Sequence, residues 1–310
     1  MTPLAERLVR SSDGIAVHAY LAHAPRDPHD PAPGHPGPTP VVWSHATGLH
    51  GRVFDTAIAA LDALAPGRYA STTFDFRGHG NTPAPPDWDV DWDGYGDDAQ
   101  CVARDARDRA RAPVIGVGHS MGGAGLIMAA LRDPSPFAAL VVCEPILFPP
   151  EVRATPHGDN PLSAGARRRR THFPSAREAR ANFAAKPPLA ALDARVLTDY
   201  VAHGFAPVDP AEPDAAVELK CAPELEARTY EMGARHATWE ALGRLVVPTW
   251  VVAGAVAPAQ PSAFARRIAE RIPGATYLEW ADLGHFAPLE DPERLARLVH
   301  EVADAVAPRT

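Results

Sequence analysis

Residues 118–122 read Gly-His-Ser-Met-Gly, and this pentapeptide constrains the fold more than any other part of the 310-residue chain. The apolar run 113–117 before it predicts a short buried strand, and residues 121–131, rich in Ala, Leu, Ile and Met, predict a helix. A serine between a strand and a helix adopts a strained backbone that projects its hydroxyl outward, and Gly118 and Gly122 leave room for the close backbone packing that this turn requires. The alternative is a glycine-rich turn with an incidental serine, and the flanking strand and helix favour the strained turn.

Three further segments combine an apolar run with a glycine-containing turn. Residues 41–45 lead into His45-Ala46-Thr47-Gly48, the strand that starts at residue 70 leads into Asp-Phe-Arg-Gly-His-Gly at 75–80, and Gly-His-Phe at 284–286 follows the strand-like run 275–280. In this order with the Gly-x-Ser-x-Gly turn, the motifs resemble those of the α/β-hydrolase family over most of the chain. The resemblance implies a mostly parallel eight-stranded sheet with helices on both faces, a helical lid inserted after the sixth strand, and a Ser–His–acid triad.

The alternation of strand and helix patterns divides the chain into a first part of the core at 1–146, a lid at 147–242 and a second part of the core at 243–310. Proline pairs and a proline-rich stretch interrupt the helical segments of the lid. The predicted core strands are 6–10, 15–22, 41–45, 70 up to its glycine turn, 113–117, 138–143, 246–254 and 275–280. The predicted core helices are 52–65, 93–110, 121–131, 261–272 and 294–306. Residues 27–40, rich in Pro, Gly and His, predict a loop.

Composition argues against several classes of function. The net charge of −8 is opposite to the basic footprint of a nucleic-acid-binding protein. No apolar run approaches the roughly 20 residues that span a bilayer, and residues 1–10 lack the pattern of a signal peptide. The three cysteines are widely spaced, which predicts reduced thiols and no metal site. We therefore expect a cytoplasmic protein that binds a small molecule, with no nucleic-acid or membrane partner; the oligomeric state, a homo-oligomer included, stays open.

The chemistry of the motifs centres on Ser120 and His285. A serine hydroxyl is a weak nucleophile near neutral pH and needs a base, and an imidazole can accept its proton and return it to the leaving group. The N–H of Met121, which follows the serine, is expected to donate to the oxyanion of the reaction intermediate. The resemblance assigns the second oxyanion donor to the N–H of Thr47, with Ala46 in place of the usual glycine. His45 is expected to order this loop.

The acid of the triad departs from the usual family pattern. The resemblance places it after the seventh strand, but residues 254–260 contain no carboxylate. Some members carry the acid after the sixth strand, where Glu144 ends the apolar run Ala-Leu-Val-Val-Cys. A carboxylate at this position is costly unless it is paired, and the Nδ1–H of His285 would pair it. The alternatives are that Glu144 pairs with a lid arginine or caps backbone N–H groups, while Asp282 is interpreted as a turn residue.

Candidate substrate-binding residues are His119, which precedes Ser120 in the Gly-x-Ser-x-Gly turn (called the elbow below), and three residues of the lid, Phe148, His236 and Trp239. We expect His119 to pack or hydrogen-bond near the elbow, because its ring points away from the serine. The lid aromatics, which also include Phe173, Phe183 and Tyr230, either line an apolar pocket or pack the lid's own core, and the second reading is favoured for any one of them. The run Arg167–Arg170 either attracts an anionic substrate or, as favoured, forms a solvated face with one arginine held by a carboxylate.

These patterns predict a serine hydrolase that cleaves a carboxylic ester, or a related acyl bond, through an acyl-enzyme on a Ser120–His285–Glu144 triad, with no metal or organic cofactor. Hydrolysis of a C–C bond and cofactor-free haloperoxidase-type activity are alternatives on the same residues. A non-catalytic small-molecule binder of the same fold is a third, motivated by the missing carboxylate at 254–260.

Overall fold

Strands and helices alternate along the computed structural model, which describes residues 4–22, 37–153, 161–212, 215–258 and 260–307. The strands found in these ranges are β1 (Ala5–Arg10), β2 (Ala16–Ala22), β3 (Thr39–Ser44), β4 (Tyr69–Phe74), β5 (Val114–His119), β6 (Phe137–Cys143), β7 (His172–Phe173), β8 (Phe205–Pro207), β9 (Val217–Leu219), β10 (Thr249–Ala253) and β11 (Thr276–Glu279). The α-helices found there are α1 (Asp55–Leu64), α2 (Trp92–Ala110), α3 (Met121–Arg132), α4 (Pro150–Arg153), α5 (Pro161–Arg167), α6 (Ala176–Ala184), α7 (Ala194–Gly204), α8 (Pro223–Met232), α9 (Thr238–Ala241), α10 (Ser262–Arg271), α11 (Ala287–Glu290) and α12 (Pro292–Val306). Short 3-10 helices occupy Gly51–Phe54, Leu189–Ala191 and Leu242–Arg244.

The central sheet has eight strands in the order β1-β2-β4-β3-β5-β6-β10-β11. Strand β2 is antiparallel to both of its neighbours, and the other pairs are parallel. The predicted eight-stranded, mostly parallel sheet is therefore confirmed, with strand ends that differ from the prediction by a few residues. The carboxyl ends of β3, β5, β6 and β10 meet along one edge, where the motifs of the sequence come together.

Alternate residues of the central strands pack against helices on opposite faces of the sheet. Val41 and Trp43 of β3 belong to a buried cluster with α1 and α12, whereas Val42 belongs to a second cluster with α2, α3 and α10. Because both faces are covered, the parallel strands are continuous apolar runs rather than alternating ones. This is why the strands were recognisable as short apolar segments in the sequence.

The core helices also follow the sequence, apart from one start. Residues 51–54 form a 3-10 turn, so α1 begins at Asp55 rather than at residue 52. Helix α2 begins where the Asp91 side chain accepts a hydrogen bond from the Asp93 N–H, and α12 begins where Asp291 accepts one from the Arg294 N–H. In the predicted loop at 27–40, residues 27–36 lie outside the described residues, and strand β3 begins at Thr39.

Residues 147–242, called the insert below, connect β6 to β10. Their described part contains α4 to α9 and a three-stranded antiparallel sheet in the order β7-β9-β8, which the expectation of helices alone did not include. Strands of two or three residues are too short to show the alternation by which a strand is recognised. Phe173 and Phe183 pack with Tyr200 and Phe205 inside the insert, with ring centroids 5.5–6.2 Å apart. These two phenylalanines therefore form the insert's own core.

None of the helices in the described ranges has the length and apolar character needed to cross a membrane.

Candidate active site

Ser120 lies at the sharp turn between β5 and α3, as the sequence predicts. Its backbone has φ 55° and ψ −114°, a conformation that non-glycine residues rarely adopt. Its side chain makes no capping hydrogen bond to α3, so the hydroxyl is not used to begin the helix. Strained residues of this kind persist only when the surrounding structure holds them in place, and they concentrate at functional sites.

The two glycines of the motif are required by the close packing of this turn. A Cβ at Gly122 would lie 2.2 Å from the carbonyl oxygen of Ser44, and a Cβ at Gly118 would lie 2.7 Å from the backbone nitrogen of Gly123. Both contacts are far inside van der Waals distance, and both involve backbone atoms that cannot rotate away. The prediction that these glycines permit close backbone packing is confirmed.

Glu144 and His285 meet across the carboxyl edge of the sheet. His285 Nδ1 and Glu144 Oε2 are 2.5 Å apart, and the other carboxylate oxygen accepts a hydrogen bond of 2.8 Å from the Gly254 N–H. Glu144 is 2% exposed, so its carboxylate depends on these two partners for the hydrogen bonds that water would supply. Both alternatives for Glu144 are thereby answered: one carboxylate oxygen accepts a backbone N–H, and the other faces the ring of His285 rather than an arginine of the insert.

The segment that carries His285 is held from two sides. The Gly284 N–H donates to Glu290 Oε2 at 3.0 Å, and His119 Nε2 lies 2.9 Å from the His285 carbonyl oxygen. Burial lowers the pKa of His119 to about 3, with a further contribution from His285, so His119 is neutral and donates its Nε2–H to that carbonyl. His119 thus packs and hydrogen-bonds beside the elbow, as expected. Asp282 is exposed and bonds Arg294 at 2.8 Å.

The loop after β3 lies against the start of α3. Thr47 Oγ1 is 3.5 Å from Met121 Sδ, which brings together the two residues whose N–H groups were predicted to bind an oxyanion. The N–H of Met121 is at the first position of α3 and has no partner within the helix. Ala46 is absent from the residues with positive φ, and Gly48 takes the positive value of 74° instead. The replacement of glycine by Ala46 is therefore accommodated without strain at that residue.

His45 orders this loop, as the sequence predicts. Its Nε2 accepts the Phe76 N–H at 3.0 Å, so its Nδ1–H donates to the Ala46 carbonyl at 2.8 Å. Complete burial keeps the pKa of His45 well below its usual value, which maintains this neutral tautomer. Asp75 adds a second link between the same loops, because its Oδ1 accepts the Gly51 N–H at 2.8 Å. The sequence did not indicate this role of Asp75, although the residue begins the Asp-Phe-Arg-Gly-His-Gly motif at 75–80.

Two of the candidate substrate-binding residues, His236 and Trp239, pack between the insert and the core. The ring of His236 stacks on Trp92 at 5.1 Å and borders a cavity of about 410 Å³ that Met128 and Arg132 also line. Met128 is eight residues along α3 from Ser120, a distance of about 12 Å at 1.5 Å per residue. Trp239 is 4% exposed and packs in the core beside α10. Both side chains therefore stabilise the contact between the insert and the core, and a substrate contact from His236 or Trp239 stays a prediction.

Phe148 stays a candidate by position. It is partly buried, four residues after Glu144, and its ring packs edge-on against Phe264 of α10 at 5.5 Å.

The arginine run divides into exposed and buried members. Arg167 is bonded by Glu224, which is exposed, and by Glu231, which is partly buried, whereas the guanidinium of Arg169 is paired with the buried carboxylate of Glu226. Two arginines of the run are therefore held by carboxylates, rather than the one that the sequence predicted.

In the described ranges, no group of three or more His, Cys, Asp and Glu side chains is arranged to hold a metal ion. The three cysteines are free thiols.

A doubly wound sheet carries at its carboxyl edge a strained serine, a Glu–His contact, and a loop after β3 that lies against the start of α3. The model of the alpha/beta hydrolase family matches residues 41–298, and the chain belongs to that family. No curated protein matches it.

Solved structures with the same fold include three hydrolases. E-2-(acetamidomethylene)succinate hydrolase is 20% identical, with a TM-score of 0.72 over 97% of this chain and 99% of that one. A malate-bound thermophilic esterase from Thermogutta terrifontis is 18% identical, with a TM-score of 0.65 over 98% and 99% of the two chains. An enol-lactonase from Burkholderia xenovorans is 20% identical, with a TM-score of 0.62 over 97% and 100%. At these identities the likeness concerns the fold.

Proposed function

We propose that this protein is a serine hydrolase that cleaves a carboxylic ester or a related acyl bond through an acyl-enzyme. The observation that carries the proposal is the 2.5 Å contact between Glu144 Oε2 and His285 Nδ1, at the sheet edge where Ser120 occupies a strained turn. A carboxylate on Nδ1 fixes the tautomer in which Nε2 is free to accept a proton. His285 in that tautomer is equipped to act as a general base.

In the proposed reaction, Ser120 Oγ attacks the carbonyl carbon while His285 Nε2 takes the hydroxyl proton. The carbonyl π electrons move to its oxygen, and the N–H groups of Thr47 and Met121 stabilise that oxyanion. The intermediate collapses as the bond to the leaving oxygen breaks, and His285 returns the proton to it. Water, deprotonated by His285, then attacks the acyl carbon. The bond from that carbon to Ser120 Oγ breaks as His285 returns the proton to Oγ, and the carboxylic acid is released. Glu144 stabilises the imidazolium at each stage without taking a proton.

An ester or lactone is the substrate class that we propose, since the esterase and the enol-lactonase with this fold are named for such substrates. The alternative of a binder without catalysis was motivated by the missing carboxylate at 254–260, and the carboxylate of Glu144 beside His285 Nδ1 argues against it. We propose no metal or organic cofactor for these steps. The free state of the three thiols is compatible with a cytoplasmic location, which we retain as a proposal.

We further propose that the insert acts as a lid over this edge of the sheet. Two of its contacts support this role. Glu226 lies against Gly48 of the oxyanion loop, and Leu225 lies against Gly78, where a Cβ would be 2.2 Å from its side chain. Such a cover excludes water and shapes the substrate pocket.

The test is a panel of neutral p-nitrophenyl esters with acyl chains from acetate to laurate, with a lactone and a thioester added, measured with the parent protein and Ser120→Ala. We expect saturable hydrolysis of at least one ester by the parent protein. In Ser120→Ala, we expect kcat to fall by several orders of magnitude while the melting temperature stays unchanged. Equal activity of the two proteins would refute the assignment of the nucleophile. Cleavage of a C–C substrate such as a vinylogous β-diketone, with no ester turnover, would favour the C–C hydrolase alternative.

A further inference from the structure

Gly48, the residue after the proposed oxyanion donor Thr47, is in direct contact with the insert. A Cβ at Gly48 would lie 2.6 Å from Glu226 Oε1 and 3.1 Å from Arg169 Nη1. Gly48 also has a φ of 74°, so glycine is required there both by conformation and by the approach of the carboxylate. The oxyanion loop therefore rests directly on an ion pair that the insert supplies.

This ion pair is buried and is extended by a third side chain. Glu226, on α8, has 6% of its side chain exposed, and Arg169, just after α5, has 18% exposed. The second guanidinium nitrogen of Arg169 donates to the Tyr200 hydroxyl on α7. Three separate segments of the insert thus converge behind Gly48 on one hydrogen-bonded unit, which we call the clamp: Arg169, Tyr200 and Glu226.

The clamp also holds the far end of the same loop, at His50. The His50 ring stacks on the Tyr200 ring with centroids 5.9 Å apart and planes 6° apart, and its Nε2 is 3.0 Å from the Tyr200 carbonyl oxygen. Burial lowers the pKa of His50 to about 3, so the ring is neutral and donates its Nε2–H to that carbonyl. Two points on the loop, residues 48 and 50, are consequently fixed by one unit of the insert.

We propose that Arg169, Glu226 and Tyr200 are positioning residues that set the place of the Thr47 N–H for oxyanion stabilisation. On the core side, the loop is held by His45, and on the insert side it is held by the clamp, so Thr47 lies between two fixed points. The charges of Arg169 and Glu226 cancel each other, which suits a positioning role better than capture of an anionic substrate. The inference rests on the proposed hydrolase function and adds a link between the insert and the transition state.

The chain contains a matched control for the buried pair. Arg167 and Glu224 are each two residues before Arg169 and Glu226, they join the same two parts of the insert, and their nitrogen and oxygen are 2.7 Å apart. Their side chains are 40% and 67% exposed, so solvent screens the attraction. Replacement of Arg167 removes this ion pair, together with the 2.6 Å contact to Glu231, and leaves the loop contact in place.

The experiment compares Glu226→Gln, Tyr200→Phe and Arg167→Met with the parent on a neutral ester and on an ester of similar size with a carboxylate. In Glu226→Gln, the guanidinium of Arg169 loses its charged partner and the amide rotates, so that the contact with Gly48 is lost. We expect kcat to fall about 10-fold or more, with KM within about twofold of the parent for both esters, because an oxyanion contact acts in the transition state. Tyr200→Phe keeps the stack on His50 and loses only the acceptor for Arg169, so we expect a smaller fall in kcat of about 3–10-fold. Arg167→Met should keep both constants.

Other outcomes would overturn the proposal. Unchanged kcat in a folded Glu226→Gln or Tyr200→Phe, or an equal loss in Arg167→Met, would show that the clamp does not position the loop. A fall in KM for the carboxylate ester alone in Glu226→Gln would show that Arg169 contacts substrate instead, because its charge is then unpaired. If Glu226→Gln does not fold, Tyr200→Phe decides the question. Failure of the proposed function itself is recognised separately, because the parent would then show no turnover that depends on Ser120.

Discussion

Replacement of Glu144 by Gln tests the least usual feature of the site, an acid that directly follows β6. The two carboxylate oxygens face different demands: one accepts the Gly254 N–H at 2.8 Å, and the other is 2.5 Å from His285 Nδ1. A glutamine amide has one acceptor oxygen and one donor nitrogen, so it can satisfy only one of these positions. Because the Gly254 N–H has a fixed direction, the amide oxygen is expected to face it, and the NH₂ group then faces Nδ1.

This arrangement favours the wrong tautomer of His285. An NH₂ group at Nδ1 requires Nδ1 to accept, which places the ring proton on Nε2 and prevents it from taking the proton of Ser120. By analogy with loss of the acid in serine proteases, we expect kcat to fall by about 10²–10⁴-fold. That range corresponds to about 3–5 kcal/mol of transition-state stabilisation at 1.36 kcal/mol per factor of ten.

The assay is steady-state hydrolysis of the best ester of the panel, together with thermal melting of each variant. Asp282→Asn is the matched control, since Asp282 is three residues from His285 in sequence but is exposed and bonded to Arg294. We expect Asp282→Asn to keep parental kcat. Full activity in Glu144→Gln, or a loss in Asp282→Asn as large as that in Glu144→Gln, would refute the assignment of the acid.

Three further predictions concern stability. Gly122→Ala should lower the free energy of unfolding by about 3 kcal/mol or more, measured by urea denaturation, because its Cβ would lie 2.2 Å from the backbone oxygen of Ser44. Burial, with a contribution from Asp55, raises the pKa of Asp199 to about 6. The folded state therefore binds the proton of this carboxyl group more tightly than the unfolded state does. The resulting stabilisation of the folded state is complete below about pH 4 and is lost as the pH rises through 6. Asp199→Asn should therefore be more stable than the parent by about 1–2 kcal/mol at pH 7.5 and no more stable at pH 4, since the shift is reduced by partial exposure; an equal gain at both pH values would contradict this origin. Trp239→Ala should lower the free energy of unfolding by about 3–5 kcal/mol and leave the order of preference among esters unchanged. A changed order of preference would show that Trp239 contacts substrate.

The features that were predicted from the sequence are those encoded by neighbouring residues. The strained Ser120 follows from a strand, two glycines and a helix within a short segment, and Glu144 follows from its place at the end of an apolar strand. The contact of Glu144 with His285 joins residues 141 positions apart, yet it was predictable because the carboxyl ends of parallel strands share one edge.

The insert was harder to predict because its packing depends on contacts between distant segments. An aromatic residue has the same appearance in a sequence whether it lines a pocket or fills a core. The sequence therefore could not decide between these two roles for His236 and Trp239. The burial of Arg169 among four consecutive arginines was equally hidden, since only the fold brings Glu226 and Tyr200 to it. One signal in the sequence did indicate paired contacts. Arg167 and Arg169 are two residues apart, and so are Glu224 and Glu226.

Covalent labelling with a fluorophosphonate tests the proposed nucleophile most directly, because it requires an activated serine and does not depend on knowing the substrate. Intact-mass measurement should show one adduct per chain, and peptide mapping should place it on the peptide that contains Ser120. Ser120→Ala should remain unlabelled under the same conditions, and Glu144→Gln should label much more slowly. An unlabelled parent protein, or an adduct on another residue that persists in Ser120→Ala, would contradict a Ser120–His285–Glu144 triad.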